Sequence, residues 1–219
     1  MAQAINIKTK IFRLFLLQKI SLKEKERIIM ADYFSNTLYF YGDQSNLQAL
    51  KDVLEKVIKK TDKDVHQEEF VLKECGLSME NCNEHGITFT EIPTIGETML
   101  LVKADTKWGP KDFFFDIIAN HFGLTYASSS INGSEWYIHN DLESVSFPEN
   151  ILIDIWGNKE IGDSYEYYES SSEAISFLTK KFGAVVSCPT DENTDDNLRL
   201  WHTYLQENEI GSITYAIRD

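Results

Sequence analysis

A short β-rich run, Thr37 to Tyr41, closes on Gly42 and leads at once into Leu47, Leu50, Leu54, Val57 and Ile58 at helical spacing. Apolar residues recurring at intervals of three and four make one stripe on a helix, and that stripe must be buried against something. The pair therefore commits this part of the chain to a strand with a helix laid over it. Ser45-Asn46-Leu47-Gln48 reads as a Ser-x-x-Gln capping box at the helix start, with the hydroxyl and the amide satisfying free backbone donors reciprocally.

The same reading carries along the chain. Residues 61–85 are polar and irregular, with a short helix near Gln67 to Cys75. Gly86 to Ile92 alternates as a strand that Pro93 ends, and Thr98 to Thr106 is a second strand. Pro110 opens a helix at its first position, where a missing N–H costs nothing, and Gly123 stops it. His121 falls on the apolar face of this helix, as a core histidine bonded to backbone. Leu124 to Ser129, the hairpin signal Asn132-Gly133 and Glu135 to His139 follow.

This β-α-β-β-α-β order with one added strand predicts an α+β fold: a ferredoxin-like antiparallel sheet with two helices on one face, spanning 30–140. Residues 141–219 form an α/β extension, packed on the first unit or standing as a small second lobe. It has strands at Ile151 to Trp156, Tyr165 to Glu169, Ala184 to Cys188 and Ile213 to Ile217. Its two helices are a Ser170-x-x-Glu173-capped one and one capped by Thr194, carrying Leu198, Trp201 and Leu205.

Residues 1–29 differ in kind. Seven Lys and Arg against two Glu give them +5, leaving 14 basic and 33 acidic residues, or −19, on the remainder. Arg13 interrupts the apolar run Ile11 to Leu17 and no Ala-x-Ala-like site follows, so a signal peptide fits poorly. The run is far short of the roughly 20 residues that span a bilayer. Lys23-Glu24-Lys25-Glu26-Arg27 is encodable almost wholly by purines just upstream of Met30, which reads as a translated leader with Met30 as the native start. The alternative is a short amphipathic helix. Codons for Glu26 and Arg27 without a GAGG-like core would refute the leader.

From that methionine, Met30, Tyr33, Asn36, Leu38, Phe40 and Gly42 keep the pattern Met-x-x-aromatic-x-x-Asn-x-Leu-x-apolar-x-Gly. Thr106, Trp108 and Pro110 follow as Thr-x-Trp-x-Pro, then Gly133 and Trp136. Over roughly 30–140 the chain resembles the YubB-type ferredoxin-like family, which is carried largely by mobile elements and has no established activity. Two departures stand out: Tyr33-Phe34 replaces the family's Trp-Cys pair, and serines around Ser130 replace a strand glutamate.

Cys75, Cys82 and Cys188 are an odd set that suits reduced thiols in the cytosol. Cys75-x6-Cys82-x2-His85 lacks zinc spacing, and Glu74, Glu80 and Glu84 read as a solvated loop, so neither metal nor cofactor is expected. No Gly-x-Ser-x-Gly, Walker loop or Gly-x-Gly-x-x-Gly occurs. His139-Asn140-Asp141 with Asp112 and Asp116 could assemble an acid–base site, though nothing in the sequence places them together. Tyr39 and Tyr41 suggest an RNA-binding sheet, but the basic-Gly-aromatic strand is missing and the acidity would repel phosphate.

Two surfaces remain as candidates for partner binding. One is the corner at Lys107 and Trp108, and the other is the acidic run with Asp191, Glu192, Asp195 and Asp196 beside Asp163, Glu166 and Glu169. The reading that follows is a non-catalytic cytosolic accessory protein binding another protein, with no direct contact to nucleic acid or membrane. The alternatives are an acidic DNA mimic directed at a nucleic-acid enzyme, and an enzyme acting on a small polar substrate.

Overall fold

The computed structural model describes residues 33–61, 66–82, 84–141, 146–156, 162–183, 185–186 and 194–218. The proposed leader, Met30, Cys188, Asp191 and Glu192 lie outside the described residues, as does most of the Ala184 to Cys188 run; Val185 and Val186 are described and are not in a strand.

Strand β1 (Tyr33–Tyr41) leads into helix α1 (Gln44–Lys60), then α2 (Glu68–Glu74), one 3-10 turn (Met79–Asn81), β2 (Ile87–Phe89), β3 (Thr94–Ile95) and β4 (Met99–Lys107). Helix α3 (Asp112–Phe122), β5 (Thr125–Ile131) and β6 (Trp136–His139) complete the first half. The rest is β7 (Ile151–Ile155), β8 (Ser164–Tyr168), α4 (Ser171–Phe182), α5 (Thr194–Glu207) and β9 (Gly211–Arg218).

The fold is α+β, but the ferredoxin-like expectation is overturned. Among the described residues there is one mixed sheet of nine strands, curled into a half-barrel, with five helices, rather than a small antiparallel sheet under two. Its order is β2-β4-β1-β5-β6-β9-β7-β8, with β3 on β4. The physical reason lies at β6. That strand would expose a row of unpaired backbone groups as an added edge, and such an edge is a template for pairing. The last strand fills it: β9 runs parallel to β6, Trp136 opposite Ala216, and antiparallel to β7, Ile153 opposite Ile213.

Three apolar clusters hold this sheet. Leu38, Phe40, Val102 and Ala104 meet α1 and α3 through Leu47, Leu50, Leu54, Phe114 and Ile118. Ile151, Ile153, Ile155 and Ile213 meet α4 and α5 through Leu178, Leu198, Trp201 and Leu205. On the opposite face, Ala127, Trp136, Ile138, Phe147 and Leu152 cluster with the half-buried Tyr39 and Tyr41. Strand β7 is thus buried on both faces, which explains its nearly unbroken apolar run.

Several local expectations shift. Helix α1 starts at Gln44 with Asp43 as its N-cap and no side-chain cap, so Ser45 is already inside and Gln48 bonds Asp52 instead (2.7 Å). Pro110 precedes α3, whose first residue is Asp112. His121 is exposed, edge-on to Phe122, because the buried arc runs through Phe114, Phe115, Ile118 and Ala119. The Ser170 capping box forms as read, and Gly123 ends α3 in the left-handed region (φ 62°).

Candidate functional site

Asn36 shows how the strand motif builds the first half. Its buried amide donates to Thr106 Oγ1 and the Ala104 carbonyl (both 3.0 Å), and Ser130 Oγ donates to its Oδ1 (2.6 Å). A buried amide is tolerable only when satisfied in this way. Thr106 passes the network on by donating to the Gly109 carbonyl (2.8 Å), which fixes the turn after β4.

That turn carries Trp108 at φ 69°. A bulky residue in the left-handed region costs about 1–2 kcal/mol, and the indole recovers little by packing, since it is 70% exposed. It stands in a group. Tyr33 begins β1 opposite Lys107 at the end of β4, and Phe113 lies in the first turn of α3. Among the described residues, Trp108, Phe113 (56%) and Tyr33 (54%) are the three most exposed large apolar side chains, placed in the turn after β4, at the start of α3 and at the start of β1. Lys107 lies 5.5 Å from the Tyr33 ring, a cation–π contact, with His66 Nε2 at 3.2 Å.

The acidic surface is placed elsewhere. Asp195 and Asp196 are exposed in the first turn of α5, on the half of the sheet built by β7–β9; Asp195 accepts from Ser171 Oγ (2.7 Å) and Asp196 faces Arg199 (3.5 Å). Asp163, Glu166 and Glu169 are also exposed.

The acid–base candidates are brought together around Tyr126. Its hydroxyl donates to the Asp112 carbonyl (2.9 Å), the His139 ring lies 5.8 Å away, and Ser128, opposite His139 in the sheet, reaches Asp112 Oδ1 (3.3 Å). Glu84 is not a solvated loop residue: its carboxylate accepts from Phe114 N (2.6 Å) and so caps α3. Burial raises the Glu84 carboxyl above its ordinary range; Asp112 and Asp116 add to this, while the Phe114 N–H and Lys111 oppose it. Burial, reinforced by Asp112, Asp116 and Glu84, likewise holds the Tyr126 phenol protonated.

Beside Tyr126 a cleft of about 480 Å³ opens between α3 and the ends of β1, β5 and β6. Asp116, Asn120, Tyr41, Asn140, Asp141 and Ser146 supply its polar groups. Cys75, Cys82 and His85, whose spacing does not suit zinc, do not line this cleft. Cys82 is buried in the first core, burial pushes the Cys75 thiol up to about 11, and His85 is exposed beside Glu68 (3.5 Å). Among the described residues no group of three potential metal ligands is present, and no helix is long and apolar enough to cross a membrane.

Sequence reasoning missed Tyr33, Phe113 and the cleft. Phe113-Phe114-Phe115 reads as a uniform apolar run, and only the helix's docking decides which ring faces out. No family model matches the chain, and neither a curated protein nor a solved structure matches it. Asn36 and Thr106, singled out by their spacing in the sequence, have structural work in the buried network.

Proposed function

We propose that this protein is a non-catalytic accessory protein of the cytosol that binds another protein through the end of the sheet carrying Trp108, Phe113 and Tyr33. The observation that carries this reading is Trp108, held in a strained conformation and presented to solvent by a buried network reaching back to Asn36. Strain with no packing return points to a use outside the fold. Large aromatics with a polar handle are the common anchors of protein interfaces. The partner offers an aromatic-sized pocket, and the net charge of −14 steers a basic protein towards this one. A photo-crosslinking residue at position 108 tests this: one discrete adduct is expected, absent when the same residue replaces the exposed Glu97.

The second reading, an enzyme acting on a small polar substrate, has one observation in its favour: Asp112, Asp116 and His139 gather around Tyr126 beside the cleft.

A further inference from the structure

One stretch of β9 is closed by a side chain where a strand would otherwise lie. At the two ends of the β7–β9 ladder, Trp156 N donates to the Ile210 carbonyl (3.0 Å) and Ala216 N donates to the Asn150 carbonyl (2.9 Å). Successive residues of a strand turn their backbone groups to opposite sides. Ile213 lies an odd number of positions from both Ile210 and Ala216, so its N–H points away from β7, to the side of β6. Strand β6 does not reach it, because their pairing runs only from Trp136–Ala216 to Ile138–Arg218. The acceptor is His202 of α5, whose half-buried ring takes the Ile213 N–H on Nδ1 (3.0 Å).

That bond fixes the state of the ring. A nitrogen that accepts a backbone N–H carries no hydrogen, so the imidazole is neutral with its one proton on Nε2. A second proton would sit on Nδ1 against the Ile213 hydrogen, and attraction would become repulsion. An ordinary imidazole takes up that proton near pH 6.5, so roughly in the range cells and compartments span. The ring borders a cleft of about 560 Å³. Among the described residues, the titratable and charged groups set around it are Glu135 and Tyr137 from the β6 hairpin, Tyr215 from β9, and Arg199 one turn earlier on α5.

We propose that His202 is a pH-sensitive latch on β9: neutral, it closes the strand's edge at Ile213, and protonated, it releases that edge. An open edge is a template for pairing with another segment. Acidification therefore uncovers one beside the seam at which β9 joins β6 to β7. The latch is independent of binding through the Trp108 end.

Amide exchange of the full chain, followed by NMR at about pH 7.5 and about pH 5 and corrected for the intrinsic rate, tests it. Protection of Ile213 is expected to fall about tenfold between the two, as loss of one hydrogen bond allows, while that of Leu38 in β1 holds. In His202→Leu, which has no acceptor, protection of Ile213 should be low at both and independent of pH. The nitrogen spectrum of the natural chain's imidazole should place its proton on Nε2 at the higher pH. Ile213 protection that ignores pH in the natural chain, a pH dependence that survives His202→Leu, or a proton on Nδ1 would each overturn the latch.

Discussion

Asn36 and the Gly109 carbonyl are the two ends of one chain of hydrogen bonds, and Asn36 and Trp108, the residue before Gly109, differ in what they return to the fold. Asn36 is 3% exposed and satisfied on both sides of its amide. Asn36→Ala leaves Thr106 and Ser130 short of partners in the interior, so a loss of about 3 kcal/mol is expected in urea unfolding. A loss under about 1 kcal/mol would show the network to be incidental. Ser130 has a role in the fold as the donor to Asn36. Trp108 returns nothing comparable to the fold, and its residue type at that conformation is what asks for an external role.

At the scale of elements, caps decide what could be read in advance. Ser170 and Glu173 are three positions apart and bond each other's backbone N–H at the start of α4, so the motif was legible. Ser170→Ala is expected to cost about 1 kcal/mol, read as a lower urea midpoint at unchanged slope. Helix α3 is capped by Glu84, thirty residues away, which no local pattern announces. Because the folded state raises the Glu84 carboxyl, that residue's contribution is fully present below the unfolded carboxylate pKa and is lost as pH rises through the folded one. Glu84→Gln retains a carbonyl acceptor without the charge. Its stability should therefore fall less than that of the natural chain as pH rises from about 4.3, the ordinary glutamate value, through the raised folded one. An unchanged pH slope would remove Glu84 as its source.

For the whole molecule, the sheet's continuity depends on a pairing eighty positions apart, Trp136 with Ala216. Strand periodicity located β6 and β9 individually. It carries no information on which edges meet, and that is why the smaller ferredoxin-like sheet was the natural expectation. The cleft was hidden for the same reason, since Asp116, Tyr41 and Asn140 become neighbours only once β1, β5 and β6 are aligned.

Arg218 fastens the end of β9. It donates to the carbonyls of Phe147 (2.5 Å) and Glu149 (2.9 Å) and to Asn150 Oδ1 (3.0 Å), and it faces Asp141. Arg218→Ala is expected to lower stability by about 2–4 kcal/mol, with amide exchange accelerated in β6 and β9 before β1 and β4. Uniform acceleration through all strands would contradict that picture of the seam.

Affinity capture of the natural chain and of Trp108→Gly from native lysate, alongside their thermal melts, tests binding through the Trp108 end. Glycine relieves the left-handed strain, so the variant should melt no lower than the natural chain. It is nevertheless expected to lose a protein partner that the natural chain retains after nuclease treatment. A partner held equally by both, or a natural chain recovered alone, would contradict binding through the Trp108 end.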